Sequence, residues 1–144
     1  MKEPQPALEL AIPVRARDFL AGGDGAARIR LVLQQVGFPP GIIRRVAIAA
    51  YEAEMNIVIH SRGGELKAQV TPEVITIIAR DEGPGIPDID LAMQEGYSTA
   101  PREIQEMGFG AGMGLPNIRR CTDELAIESA PGTGTTIKMV IYNR

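Results

Sequence analysis

The sequence predicts an α/β (α+β) two-layer sandwich, with helices covering one face of a mixed, mostly antiparallel sheet. Three observations support this. Patterned segments follow one another in the order β-α-α-β-β-(loop)-α-β-β. Two candidate hairpins, the first rich in β-branched residues, turn at Thr71-Pro72-Glu73 and at Ala130-Pro131-Gly132. Two neighbouring stretches before the first hairpin carry apolar residues at helical spacing.

Leu8 to Val14 reads as the first strand, with the segment through Phe19 and Leu20 extending or bending it. Gly22-Gly23 ends that element, and Asp24 is the expected N-cap of a helix to about Val36. Ile29, Val32, Leu33 and Val36 fall at i, i+3, i+4 and i+7, one apolar face, and Gly37 stops the helix. Pro39-Pro40 opens a longer helix, from about Gly41 to His60, because proline is tolerated in a first turn. Its expected core face is Ile43, Val46, Ala47, Ala50, Ala53, Ile57 and Val58.

Glu52, Asn56 and His60 recur every four residues and so form one stripe of that helix. Glu54 lies roughly 200° around the helix from Glu52 and is assigned to solvated surface. His60 is read as a packing or capping residue. Arg62-Gly63-Gly64 terminates the helix. Leu66 to Val70 and Val74 to Ala79 then form the first hairpin, and Asp81 follows at the end of its second strand. Asp88 is placed to cap a short helix through Met93. Glu95 to Met107 has no sustained apolar period and reads as a loop long enough to serve as a lid.

Gly114 starts another helix with Leu115, Ile118 and Cys121 inward and Pro116 in its first turn. Glu124 to Ser129 and Thr135 to Tyr142 form the last hairpin. In its second strand Thr135, Ile137, Met139 and Ile141 share one face.

Composition narrows the function classes. The 144 residues suit one domain with a genuine core, residues 1–7 being expected as a flexible tail before a domain spanning 8–144. The net charge of −3, the pI near 5.2 and an aromatic content of 4% without Trp argue against direct nucleic-acid binding. Arg44-Arg45 and Arg119-Arg120 are read as solvated helix faces. No apolar run approaches the roughly 20 residues of a membrane span. The N-terminus lacks the apolar core of a signal peptide. A lone Cys121 forms no internal disulfide, which fits a reducing cytoplasm.

The common phosphate motifs are missing. No Gly-Lys pair of a P-loop occurs, and the glycines from Gly108 onward do not fit G-x-G-x-x-G. The serine-hydrolase elbow and the eukaryotic-type protein-kinase signatures are absent as well. One His and one Cys do not supply an ordinary zinc ligand set. What the chain does carry is Glu52-Ala-Glu-Met-Asn56 on a helix, Asp81-x-Gly83-x-Gly85 after a strand, Gly108-x-Gly110-x-Gly112-x-Gly114 before a helix, and Gly132-Thr133-Gly134-Thr135 at the last hairpin.

In that order and approximate spacing these segments resemble the N box, two glycine boxes and terminal Gly-Thr motif of the GHKL superfamily, the Bergerat-fold ATPases of gyrase, Hsp90, histidine kinases and MutL. The resemblance spans nearly the whole chain. Asp-Glu-Gly-Pro-Gly-Ile-Pro-Asp-Ile, Gly-Tyr-Ser-Thr and Gly-Ala-Gly-Met-Gly-Leu-Pro bring it close to the bacterial anti-sigma-factor and switch-protein serine kinases.

The resemblance implies ATP and Mg²⁺ as cofactors, with Glu52 as general base and Asn56 as metal ligand. An amide oxygen is a hard donor suited to Mg²⁺, and a carboxylate one turn away on the same stripe can accept a proton from a hydroxyl attacking near it. Asp81 would read the adenine amine, and Gly83, Gly85 and Ile86 would line the base. Gly108, Gly110, Gly112, Met113 and Gly114 would hold phosphates at a helix N-terminus. Read without the resemblance, the first glycine group is a tight turn around Pro84 and the second a hinge. Thr135 would reach adenine by its hydroxyl, directly or through water, and strand alternation favours it over Thr136.

The lid departs from some relatives: Gln105, Glu106 and Met107 stand where a basic residue occurs, and Arg102 is the one cation between Glu95 and Met107. Ile59 replaces the Lys common in histidine kinases.

Two functions follow as expectations. The first is a cytoplasmic ATP-dependent serine/threonine kinase acting on a small antagonist protein of the STAS type. The second is a nucleotide-dependent module that sequesters a sigma factor or other partner with little catalysis. Family resemblance also implies a homodimer. No nucleic acid or membrane partner is expected.

Overall fold

The computed structural model describes residues 8–86, 89–94 and 114–144. The order is β1 (Leu8–Val14), α1 (Asp24–Val36), α2 (Pro40–His60), β2 (Gly64–Val70), β3 (Val74–Asp81), α3 (Ile89–Ala92), α4 (Gly114–Cys121), β4 (Glu124–Ala130) and β5 (Gly134–Tyr142). The strands form one five-stranded sheet, β1-β2-β3-β5-β4, and every pairing is antiparallel. Residue 88, the expected cap of the short helix, and the expected lid and N-terminal tail lie outside the described residues.

Alternation decides which face is covered. Ile12 and Val14, Leu66, Ala68 and Val70, Ile75, Ile77 and Ala79, and Ile137, Met139 and Ile141 are all buried. Their neighbours of opposite parity, such as Glu9, Glu65, Arg80 and Lys138, lie at the open face. α2 lies across β1, β2, β3 and β5, with α1 packed on one of its flanks and α4 on another. Being central, α2 buries more than one stripe: Ile42, Ala49, Met55 and Ile59 join the expected core residues, while Ala47 is only half-buried.

Several sequence expectations are corrected here. Of the two expectations for the segment through Phe19 and Leu20, the structure has the bend and not an extension of β1. Arg17 adopts φ 61° and its N–H bonds the Val58 carbonyl at 2.8 Å, which turns the chain toward α2. On α1, Ile29 and Leu33 are fully buried, but Val36 is 58% exposed because the helix ends at the surface. α2 begins at Pro40, one residue before the expected start.

The largest correction concerns Glu54. Asp24 is the first residue of α1, and the N-cap is Gly23 at φ 100° with no side-chain cap of its own. The cap comes from α2: Glu54, only 3% exposed, accepts the N–H groups of Gly23 (3.1 Å) and Gly25 (3.1 Å) on Oε2 and that of Ala26 (2.9 Å) on Oε1. A helix start offers unpaired amides and a partial positive charge, so a carboxylate can be buried there with its oxygens satisfied. Gly25 makes the approach possible. A β-carbon at residue 25 would sit 3.1 Å from Glu54 Oε1 and 3.2 Å from Leu66 Cδ2.

Candidate functional site

The polar stripe of α2 includes Glu52, which faces α4, and Glu52, Asn56 and His60 are each half-buried. The two oxygens of Glu52 have different surroundings. Oε1 accepts a hydrogen bond from Asn117 Nδ2 of α4 at 3.3 Å. Oε2 faces the first residue of α4, 3.4 Å from where a β-carbon on Gly114 would lie. Burial, then the positive charge of Arg17, hold the His60 imidazole below the ordinary value of 6.5.

The second part of the site forms where β3 ends. Asp81 Oδ1 accepts the backbone N–H of Thr135 at 3.0 Å. Burial raises the Asp81 carboxyl from its ordinary value, and the Thr135 amide opposes the shift. The following turn is laced to the last hairpin: Gly83 N–H donates to the Thr133 carbonyl at 3.2 Å and Gly132 N–H to the Pro84 carbonyl at 3.0 Å. Arg62 N–H bonds the Glu82 carbonyl at 2.7 Å, tying the same turn to the end of α2. A β-carbon on Gly83 would be 3.1 Å from Ser61 Cα, and one on Gly85 would collide with the Ala130 carbonyl at 2.7 Å. Gly85 also needs φ 79°, so both its conformation and its neighbours favour glycine.

Ser129 and Asn117 were not singled out by sequence reasoning. Ser129 Oγ accepts the Ile86 N–H at 2.6 Å and stands 3.0 Å from Thr135 Oγ1. The Thr135 hydroxyl, expected to face a ligand, therefore already has a partner in the fold. One signal for Ser129 existed, since a hairpin closed around Ala130-Pro131-Gly132 places it opposite Thr135, as the register has it. Asn117 gave only a spacing, one helical turn after Gly114.

Arg45 is not the solvated residue expected. Its Nε donates to the Cys121 carbonyl at 3.0 Å and its guanidinium pairs with Asp123 at 3.2 Å, closing the end of α4 onto α2. Cys121 is half-buried there, and burial pushes its thiol up.

Glu52, Asn56 and Gly114 thus lie around α2 and α4, and Asp81, Gly83, Gly85, Ile86 and Thr135 around the β3 terminus. Gly108, Gly110, Gly112 and Met113 lie outside the described residues. Among the described residues no group of three or more His, Cys, Asp or Glu side chains is placed to hold a metal ion, and no helix is long and apolar enough to cross a membrane. The arrangement offers a carboxylate with one oxygen held and another facing a helix start, a neutral amide one turn further on, and a partly buried carboxylate acceptor beside a hydroxyl pair.

Residues 25–141 match the profile of the histidine kinase-like ATPase domain. The chain is 33% identical over 119 residues to the serine/threonine-protein kinase RsbT of Bacillus subtilis (strain 168), covering 80% of this chain and 84% of that protein. It is 37% identical over 105 residues to the anti-sigma F factor of Thermoanaerobacter sp. (strain X514), covering 69% and 70% respectively. The fold is shared with the crystal structure of the RsbU and RsbW domains of Rv1364c from Mycobacterium tuberculosis, at a TM-score of 0.63 and 19% identity, over 96% of this chain and 34% of that longer one.

Proposed function

Because this chain belongs to the family of histidine kinase-like ATPase domains, we propose that it is an ATP- and Mg²⁺-dependent serine/threonine protein kinase of the cytoplasm that phosphorylates a small STAS-type antagonist protein. Residues 8–144 form the ATP-binding unit. The observation that carries this reading is the setting of Glu52. One oxygen is held by Asn117, the other faces the start of α4, and Asn56 stands one turn along the same stripe.

In this reading Asp81 selects adenine. Its Oδ1 is engaged by the Thr135 amide, which leaves Oδ2 for the exocyclic amine. The turn from Gly83 to Ile86 walls the base, with Ser129 and Thr135 behind it. The Asn56 amide fits Mg²⁺, which takes few protein oxygens and fills its shell with water and phosphate oxygens; a cage of carboxylates is not required. When bound, the ion neutralises charge on the phosphates.

Glu52 takes the proton from the partner's hydroxyl as that oxygen bonds the γ-phosphorus. The bond from phosphorus to the β,γ-bridging oxygen breaks, and ADP leaves with the electron pair. Gly114 contributes the amide end of α4 and, with the preceding glycines, backbone for the phosphates.

Incubation with γ-labelled ATP, Mg²⁺ and STAS-domain proteins of the same genome tests this. Label is expected on a partner serine or threonine and is expected to vanish with Glu52→Ala. If no label transfers and Glu52→Ala matches the parent throughout, the kinase reading is wrong. The likeness to an anti-sigma F factor favours a second reading, a nucleotide-dependent module that sequesters a sigma factor. Nucleotide-dependent capture of a sigma factor without phosphorylation would support it.

A further inference from the structure

We propose that Asn117 is a positioning residue for Glu52, holding one carboxylate oxygen so that the other is presented as the proton acceptor. The inference rests on the reading of Glu52 as general base.

The orientation of the Asn117 amide follows from its second partner. Arg120 Nη1 donates to Asn117 Oδ1 at 3.0 Å. A guanidinium has donors only, so the amide oxygen must face Arg120 and the amide nitrogen must face Glu52. The result is a directed chain from Arg120 through Asn117 Nδ2 to Glu52 Oε1, across the contact between α4 and α2.

Gly114 and Asn117 are three apart and share one face of α4. The first lies beside Glu52 Oε2 and the second occupies Oε1. A carboxylate on a long side chain has several rotamers, and an amide donor that holds one oxygen reduces them to those aiming the other oxygen at the helix start. Asn117 does not exchange a proton itself. With water as acceptor, Glu52 Oε2 receives the proton while the water oxygen bonds the γ-phosphorus. The bond to the bridging oxygen breaks, ADP and phosphate leave, and the proton returns to solvent.

A double-mutant cycle separates this role from simple packing. The full-length chain is given MgATP, and single-turnover ADP formation and ADP affinity are measured for the parent, Asn117→Ala, Glu52→Gln and the double variant. Asn117→Ala is expected to slow turnover about tenfold while changing ADP affinity less than about twofold, as expected for an interaction used in the reaction step. In the Glu52→Gln background the same change is expected to have no further effect. Asn117→Gln, which keeps an amide donor, is expected to recover part of the loss.

Parent-like turnover of Asn117→Ala, or an equal loss in both backgrounds, would overturn the proposal. Parent-like turnover of Glu52→Gln would instead remove the general-base reading on which it rests. Melting curves accompany each variant; should Asn117→Ala fail to fold, Asn117→Asp enters the same cycle, where opposing carboxylates are expected to cost more than tenfold.

Discussion

On α2 two carboxylates stand two residues apart and meet different fates. Glu52 is half-buried on the face toward α4, with one oxygen bound by Asn117 and the other beside Gly114. Glu54 is 3% exposed on the face toward α1, and three backbone amides fill its oxygens. The side chains are the same; the donors around them differ. A carboxylate surrounded by amides that have no other partner becomes part of the fold. One with an oxygen that no backbone amide fills keeps capacity for a ligand or a proton. One helix thus serves as support on one side and as reactive surface on the other.

Four experiments sharpen or break that contrast. The largest effect is expected at Glu52: Glu52→Ala should lower phosphoryl transfer by about 10²–10⁴-fold, the usual range for a general base, while unfolding free energy changes by less than about 1 kcal/mol. Transfer at the parent rate would leave both carboxylates structural. Next, Glu54→Ala should destabilise by about 3 kcal/mol in urea unfolding, from lost charge-assisted bonds and a lost cap. Glu54→Gln should cost about half of that, because it keeps one acceptor oxygen. ADP affinity should stay near the parent value in both while they remain folded; a large loss would show that the two faces are coupled.

The third experiment concerns nucleotide binding. Asp81→Asn keeps an oxygen for the Thr135 amide but turns a donor toward the adenine amine, so ADP affinity should fall about 10–100-fold by calorimetry. Because burial raises the Asp81 carboxyl, ionisation costs the empty protein stability, and the variant should melt no lower than the parent. In the parent, ADP affinity should fall on acidification as the pH passes down through the raised Asp81 value.

The smallest effect belongs to His60. Its folded-state value lies below 6.5, so between that value and 6.5 the unfolded chain binds more protons and stability falls as the pH is lowered. The slope for one proton is at most about 1.4 kcal/mol per pH unit. His60→Gln should flatten this part of the stability profile.

Much of the frame is legible in the sequence. β1 has the expected bounds, α4 starts at Gly114, and Thr135, Ile137, Met139 and Ile141 share the buried face. Local periodicity suffices there, because alternation and the helical repeat follow from backbone geometry. The end of α1 at Val36 and its stop at Gly37 are as expected, while the place of Val36 on the buried face and the cap by Asp24 are not: Val36 is 58% exposed, and the cap arrives from another helix. Arg45 was misread for the same cause, since its partners are Cys121 and Asp123.

The sequence by itself determined the helices and strands, the Glu52–Asn56 stripe and the glycine-rich turn after Asp81. These depend on residue spacing and on conformations that few side chains tolerate. Only the tertiary structure decided what the polar groups do. Glu54 meets its amides 28 to 31 positions back along the chain, Ser129 meets Ile86 across 43, and Asn117 meets Glu52 across 65. A hydrogen bond depends on distance and direction in space, and no local pattern encodes which distant donor an oxygen will face.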